Sequence, residues 1–143
     1  MKVRVLLVDD EREFVDILAE RLEARDFAVS KAYSGDEALE RVKQGGIDVV
    51  ILDVQMPGKD GLETLHEIKR GSPLVEVIML TGHGTVETAV EGLKSGAFDY
   101  LMKPTEAKSL VEKLVKAYKR KVEQEDRIRQ AEIERILLTR GWS

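Results

Sequence analysis

Short apolar runs alternate with amphipathic segments along most of the 143-residue chain. Five runs rich in Val, Ile and Leu have the length of β-strands. These runs span residues 3–8, 27–32, 48–52, 76–80 and 98–102. The first, third and fourth are almost continuously apolar, which is typical of central strands that are covered on both faces of a parallel sheet.

Helical patterns separate the predicted strands and follow the last one. They cover residues of about 11–25, 34–44, 61–70, 85–94 and 105 onward. Ser34 and Glu37 have the spacing of a capping box, and Gly45-Gly46 ends the same helix. Five strand–helix units in succession predict an α/β fold, an open and doubly wound parallel sheet with helices on both faces.

Composition narrows the class of protein. Apolar residues make up 43% and charged residues 35% of the chain, which favours a globular domain over a disordered one. The sequence has no cysteine, so disulfides and thiolate metal sites are excluded and a cytoplasmic location is expected. No run approaches a membrane span, and residues 1–4 lead into a strand pattern without a signal peptide, so no membrane association is expected.

Charge is distributed unevenly. Residues 1–104 carry 13 basic and 20 acidic side chains, whereas residues 105–143 carry 10 and 7. The acidic main body makes direct nucleic-acid binding unfavourable.

Polar side chains directly follow four of the predicted strands. Asp9 and Asp10 follow the first strand, Asp53 the third, Thr81 the fourth and Lys103 the fifth. Ligands of such sheets bind beyond the carboxyl ends of the strands, so we expect these side chains to share one pocket if the strands are neighbours.

The residue types in this pocket indicate a phosphoryl group and a hard cation. Carboxylates crowded together repel one another unless a cation such as Mg²⁺ neutralises them. Lys103 would add a positive charge and Thr81 a hydroxyl donor. No Ser-His pair or thiol accompanies them, so the available nucleophile is a carboxylate, which can form an acyl phosphate.

Each residue also has a simpler interpretation. Asp10 could be only the N-cap of the first helix, Asp53 a turn acid, Thr81 a helix cap and Lys103 a solvated lysine. His66 and His83 lack the spacing of a zinc site.

Four segments resemble the receiver domain of two-component response regulators over about residues 2–119. The matching segments are residues 7–11, 51–61, 80–83 and 96–104. The resemblance implies a five-stranded sheet in the order 2-1-3-4-5. It also favours a cis peptide bond between Lys103 and Pro104.

The resemblance assigns a role to each site residue. Asp53 would be the phosphoacceptor, and the metal ligands for Mg²⁺ would be Asp10, Asp9 through water, Asp53 and the backbone carbonyl of Gln55. Thr81 and Lys103 would bind phosphoryl oxygens, and Tyr100 would be the rotating aromatic of the switch. Without the resemblance, Tyr100 would be interpreted as a half-buried strand aromatic.

The function implied is that of a switch rather than a turnover enzyme. A sensor histidine kinase or a histidine phosphotransfer protein would donate the phosphoryl group, and the surface of helix 4, strand 5 and helix 5 would respond. That surface would control a downstream effector protein or a homodimer. Two alternatives are an Asp-nucleophile phosphatase, disfavoured because the candidate nucleophile follows strand 3, and a nucleotide or flavin module, disfavoured because no Gly-rich loop follows strand 1.

The last part of the chain predicts a continuation of helix 5. The buried stripe of that helix is expected at Leu110, Val111, Leu114, Val115 and Tyr118. Residues 118–140 lack Gly and Pro, and we assign 120–143 to a helical extension or linker. It could be a solvated linker helix, such as truncation of a longer protein would leave, or a docking or dimerising helix that uses Ile133, Ile136, Leu137 and Trp142. The basic run 119–121 is interpreted as a solvated helix face rather than as a nucleic-acid-binding patch.

Overall fold

The computed structural model describes residues 2–56, 60–82 and 84–140. Within them, five strands alternate with five helices in the predicted order. The strands are β1 Arg4–Val8, β2 Ala28–Ala32, β3 Val49–Leu52, β4 Glu76–Thr81 and β5 Asp99–Met102. The helices are α1 Arg12–Glu23, α2 Gly35–Lys43, α3 Gly61–Gly71, α4 Val86–Lys94 and α5 Ala107–Thr139.

The strands form one parallel sheet in the order β2-β1-β3-β4-β5. The predicted fold class and strand order are therefore confirmed. β1, β3 and β4 lie in the centre, and all residues of β3 and β4 are buried. Their continuous apolar runs are explained by helices that cover both faces.

Each face of the sheet has its own apolar core. One core joins the sheet to α2 and α3, and includes Ala38 and Leu65. The other joins it to α1 and α5, and includes Leu18 and Leu114. α4 contacts β5 and α3, at the edge of the first face.

Side chains cap three of the helices at their amino ends. The Ser34 hydroxyl accepts a hydrogen bond from the Glu37 N–H at 3.2 Å, as the capping-box spacing predicts. Asp60 caps α3 in the same way, through a 2.9 Å bond from the Glu63 N–H. α4 begins after Thr85, whose side chain accepts from the backbone N–H of Thr88.

Helix α5 is the longest element, with 33 residues and a length of about 50 Å. It crosses the predicted boundary at residue 119 without a break, and its last buried side chain is that of Lys121. The predicted helical continuation is confirmed, whereas the division into domains stays a prediction. In the described part of the chain, no helix combines the length and apolar content needed to span a bilayer.

Candidate functional site

The carboxyl ends of β1 and β3 bring three aspartates together. Val8 of β1 lies beside Leu52 of β3 in the parallel register, so the residues that follow them leave the sheet at the same level. One carboxylate oxygen from each of Asp9, Asp10 and Asp53 lies within 4.8 Å of the others. The expected convergence of these carboxylates is therefore present.

Burial makes this carboxylate cluster electrostatically unfavourable. Asp53 and Asp9 are only 2% and 3% exposed, while Asp10 is exposed. Burial and, to a smaller extent, the negative charge of Asp9 raise the pKa of Asp53 above its ordinary value. Hydrogen bonds from the Thr81 side chain and the Gln55 backbone and the charge of Lys103 oppose this shift without cancelling it.

Lys103 supplies the positive charge of the site. Its ammonium group donates to Asp9 Oδ2 at 2.6 Å and lies 4.0 Å from the centre of the Phe14 ring. Burial lowers the pKa of Lys103, but the hydrogen bond and charge of Asp9 outweigh that effect, and the net pKa is raised. Lys103 is therefore a charged lysine directed into the pocket, and its peptide bond to Pro104 is cis, as predicted.

Thr81 lies between the carboxylates and the switch tyrosine predicted by the resemblance. It is the last residue of β4 and is fully buried. Its register partner is Met102, so Lys103 follows at the adjacent edge of the sheet. The hydrogen bond to Asp53 directs the hydroxyl toward the acidic cluster, as expected for a group that would contact a phosphoryl oxygen there.

Gln55 lies two positions after Asp53 in the loop that follows β3. Its backbone N–H lies 3.4 Å from Asp53 Oδ1, and its side chain is exposed. Its role as a carbonyl ligand stays a prediction. Residues 57–59 of the matching motif lie outside the described residues.

The donor set suits a hard divalent cation. It contains three carboxylates, two of them buried, whose mutual repulsion a cation would relieve. Oxygen ligands of this kind are those that Mg²⁺ prefers. Asp9, Asp10 and Asp53 would hold the ion.

The simpler interpretation of Asp10 is wrong. The residue before α1 is Glu11, and no side chain caps this helix. Asp9 instead accepts from the Glu11 N–H at 3.0 Å. Asp10 therefore has no capping bond that would account for its position in the cluster.

Tyr100 is the half-buried strand aromatic that was expected, and its role in a switch stays a prediction. Its ring is half-buried against the core on the α2 and α3 face, and its hydroxyl lies 3.0 Å from the hydroxyl of Thr88. Thr88 was not among the predicted site residues, although the Thr85-x-x-Thr88 spacing is a helix-start signal. His66 contacts Ser95 at 3.2 Å on the surface, and His83 lies outside the described residues.

Two further predictions about α5 are wrong. Lys121, expected on a solvated face, is 8% exposed, and its ammonium lies 3.0 Å from the buried carboxylate of Asp48. The neighbouring Arg120 guanidinium contacts Glu76 and stacks over Phe98. The signal was present in the spacing, because Lys121 continues the buried series Leu110, Leu114, Ala117. Val115, expected in that stripe, is 52% exposed.

Comparisons with known proteins agree with this geometry. The family model described as the response regulator receiver domain matches residues 5–115. Transcriptional regulatory protein ZraR of Salmonella typhimurium is 43% identical over 116 residues, which are 81% of this chain and 26% of ZraR. The chain thus spans about a quarter of the length of the curated relatives it matches.

Solved structures give the same result. A CheY-like receiver domain protein of Methanospirillum hungatei superposes with a TM-score of 0.83 at 27% identity, covering 87% of this chain and 99% of that one. The beryllofluoride-activated NtrC4 receiver domain dimer has a TM-score of 0.78 at 36% identity, with coverages of 82% and 98%.

Proposed function

This chain belongs to the response regulator receiver family, and on that premise we propose that Asp53 accepts a phosphoryl group from a histidine of a sensor kinase or phosphotransfer protein. The observation that carries this proposal is the cluster of Asp9, Asp10 and Asp53, in which Asp9 and Asp53 are buried, with the Lys103 ammonium against Asp9. Such a site binds a phosphoryl group and a cation together. The chain then acts as a regulatory switch.

The transfer uses the side chains of the pocket. A carboxylate oxygen of Asp53 forms a bond to phosphorus, the P–N bond of the phosphohistidine breaks, and the released imidazole nitrogen keeps the electron pair or takes up a proton. The Thr81 hydroxyl and the Lys103 ammonium bind phosphoryl oxygens and position the group. When bound, Mg²⁺ would neutralise the carboxylates and the charge that develops on the phosphoryl oxygens.

Lys103 changes partner in this proposal. It donates to Asp9 at 2.6 Å in the structure, so an incoming phosphoryl group competes with Asp9 for its protons. Asp9 would hold the lysine less strongly if a cation were bound at the three carboxylates, because the ion would offset the charge of that carboxylate. Binding of the ion and availability of Lys103 are therefore linked.

Thr81 and Tyr100 transmit the effect of phosphorylation from the site to the protein surface. Movement of the Thr81 hydroxyl toward the phosphoryl group makes room for Tyr100, which biases an existing equilibrium of the surface formed by α4, β5 and α5. That surface exposes apolar side chains that suit a protein partner. They are Val86, Val90, Leu93, Met102 and Val115.

The partner of this surface is a second copy of the chain or a downstream effector. The similarity to a receiver domain dimer supports the former, and the similarity to a transcriptional regulatory protein supports the latter. Direct nucleic-acid contact is not assigned to residues 1–104, because their charge is strongly acidic. We place the phosphoryl transfer in the cytoplasm, in keeping with the cysteine-free sequence.

Intact mass spectrometry tests the phosphoacceptor. The parent chain, incubated with a small-molecule phosphodonor and Mg²⁺, should gain one phosphoryl group, whereas Asp53→Asn should gain none. Asp126→Asn, which removes an exposed carboxylate on α5, should behave like the parent. Equal incorporation into Asp53→Asn, or undiminished incorporation in excess chelator, would contradict the proposal.

A further inference from the structure

Tyr100 is held at its hydroxyl by the first turn of α4. The Tyr100 and Thr88 hydroxyl oxygens are 3.0 Å apart, across the gap between β5 and α4. Thr88 is half-buried, and the tyrosine ring lies on the core, so this contact is shielded from solvent on one side. The contact with Thr88 therefore fixes the position of the Tyr100 hydroxyl.

A glycine leaves the space that this position requires. A Cβ atom on Gly84 would lie 1.8 Å from the Tyr100 hydroxyl oxygen, 2.7 Å from Tyr100 Cζ and 3.0 Å from Thr81 Cγ2. The need for glycine comes from the tyrosine, and the same point in space also touches Thr81.

Thr88 uses its hydroxyl for two purposes. The hydroxyl accepts from the Thr85 N–H at 2.8 Å and donates to the Thr85 carbonyl at 2.9 Å, which completes the reciprocal cap of α4. A hydroxyl has one proton and two acceptor positions. With its proton directed to the Thr85 carbonyl, the Thr88 oxygen still has an acceptor position for the proton of Tyr100. The cap of α4 and the tyrosine are thus parts of one hydrogen-bonded unit.

We infer that Gly84 and Thr88 form a seat that holds Tyr100 inward and couples this position to the first turn of α4. The inference rests on the proposed function, in which Thr81 and Tyr100 carry the response to phosphorylation. Gly84 and Thr88 are positioning residues of that response, because neither is assigned a contact with the phosphoryl group. The seat makes outward rotation of Tyr100 and loosening of the α4 cap one event.

Fluorine NMR on the full chain measures the seat directly. The protein labelled with 3-fluorotyrosine has resonances from Tyr33, Tyr100 and Tyr118, and loss of one resonance in Tyr100→Phe assigns the signal. Its protection from a soluble paramagnetic agent reports the inward position. Beryllium fluoride with Mg²⁺ then serves as the probe of the phosphorylated form.

Gly84→Ala should expose Tyr100 and keep it exposed when the probe is added. Gly71→Ala is the matched control, because a Cβ there meets no heavy atom within 4 Å. Protection of Tyr100 that equals the parent in Gly84→Ala would overturn the inference.

The Thr88 variants test the coupling of Tyr100 to the first turn of α4. They remain informative even if Gly84→Ala does not fold. Thr88→Val removes the hydroxyl and should lower the inward-to-outward ratio of Tyr100 about fivefold, as expected for loss of one neutral hydrogen bond. Thr88→Ser keeps the hydroxyl and should restore the ratio. Equal loss in Thr88→Ser and Thr88→Val would also overturn the inference. If the parent gains no phosphoryl group, the proposed function fails, while the Tyr100 signal of the untreated chain still decides whether the seat exists.

Discussion

The ammonium of Lys121 lies 3.0 Å from the carboxylate of Asp48, although 73 positions separate the two residues. Asp48 directly precedes β3, whereas Asp53 directly follows it, so one short strand has a buried carboxylate at each end. The carboxylate of Asp48 also accepts three bonds from the backbone and side chain of Arg4. The end of the sheet remote from Asp53 is therefore neutralised by cations of the protein itself, whereas among the described residues Lys103 is the cation bonded to the carboxylate cluster beside Asp53.

Removal of Asp48 should strongly destabilise the fold. Asp48→Ala leaves Lys121 buried beside β3 with Glu125 alone, at 3.2 Å, and loss of one partner of a buried pair costs about 3 to 5 kcal/mol. Asp126→Ala breaks an exposed pair with Arg129, which contributes about 0 to 1 kcal/mol. Urea unfolding at neutral pH compares the two variants. Equal midpoints for them would show that the Lys121 contact contributes little.

The two carboxyl groups that flank β3 should give opposite pH dependences. Burial raises the pKa of Asp48, but bonds from Arg4 and Lys121 outweigh it and the net pKa is lowered. Its contribution to stability is therefore present above its unfolded pKa of about 3.9 and is lost as the pH falls through the lower folded value. The pKa of Asp53 is raised, so its ionisation costs stability as the pH rises from about 3.9 through the folded value.

Asp53→Asn should accordingly stabilise the chain at neutral pH in the presence of chelator, and the gain should shrink in acid. Asp48→Asn should destabilise it at neutral pH, and that loss should also shrink in acid. Urea midpoints from about pH 3 to pH 8 for the parent and both variants measure the trends. A gain for Asp53→Asn that grew as the pH fell would contradict a raised pKa for Asp53.

Magnesium should stabilise the parent by binding the folded state. At a concentration 100 times its dissociation constant, one site adds about 2.7 kcal/mol to the free energy of unfolding. Asp9→Asn removes one buried carboxylate of the cluster and should lose most of the increase. Thermal unfolding with and without Mg²⁺ is the measurement, with Asp126→Asn as the variant expected to respond like the parent.

The sequence predicts local and repeated features of this protein better than contacts between distant elements. Apolar runs located the five strands, and the residues that follow them led to Asp9, Asp53, Thr81 and Lys103 because strand ends meet at one edge of a parallel sheet. The Lys121–Asp48 pair was missed, since no local pattern tells which carboxylate a basic side chain will reach.

The seat of Tyr100 escaped prediction for a related reason. Thr88 was visible only as part of a helix start, and Gly84 only as a loop glycine. Their importance follows from how close β5 comes to α4, which is a property of tertiary packing rather than of residue spacing.

Close backbone packing behind Asp53 gives another prediction. A Cβ atom on Gly61 would lie 2.1 Å from the carbonyl oxygen of Asp53 and 2.6 Å from Val54 Cα. Both neighbours are backbone atoms, so Gly61→Ala should cost about 1 to 3 kcal/mol and slow phosphorylation by displacing Asp53. Gly71→Ala, in the last turn of the same helix, should be neutral or slightly stabilising. Urea unfolding and the rate of phosphoryl incorporation check both variants.

The exposed face of α4, β5 and α5 should mediate association that depends on the phosphorylated form. Val90 on α4 and Ile17 on α1 are both 45% exposed but lie on different faces, so Val90→Asp and Ile17→Asp form a matched pair. Beryllium fluoride with Mg²⁺ should raise the self-association constant of the parent by about 5- to 150-fold, the range of ordinary coupling free energies. Val90→Asp should lose this increase and Ile17→Asp should keep it. Sedimentation velocity measures the association of all three chains. If the self-association constant of the parent does not change with beryllium fluoride, the partner of this surface is a downstream effector rather than a second copy.

The extension of α5 should contribute to that association through the apolar side chains that it exposes. Ile128, Ile133 and Leu137 are 53%, 45% and 63% exposed, and in the described part of the chain they have no core to join. A truncation that tests them must retain Lys121 and Glu125, because the Lys121–Asp48 bond joins α5 to the start of β3 and Glu125 contacts the same ammonium group from within α5. We therefore expect a chain that ends at Arg127 to unfold like the full chain but to associate more weakly. A chain that ends at Arg120 lacks Lys121 and should also lose stability. Its weaker association could then not be separated from its partial unfolding. Association of the 127-residue chain that equals the full chain would identify the extension as a solvated linker.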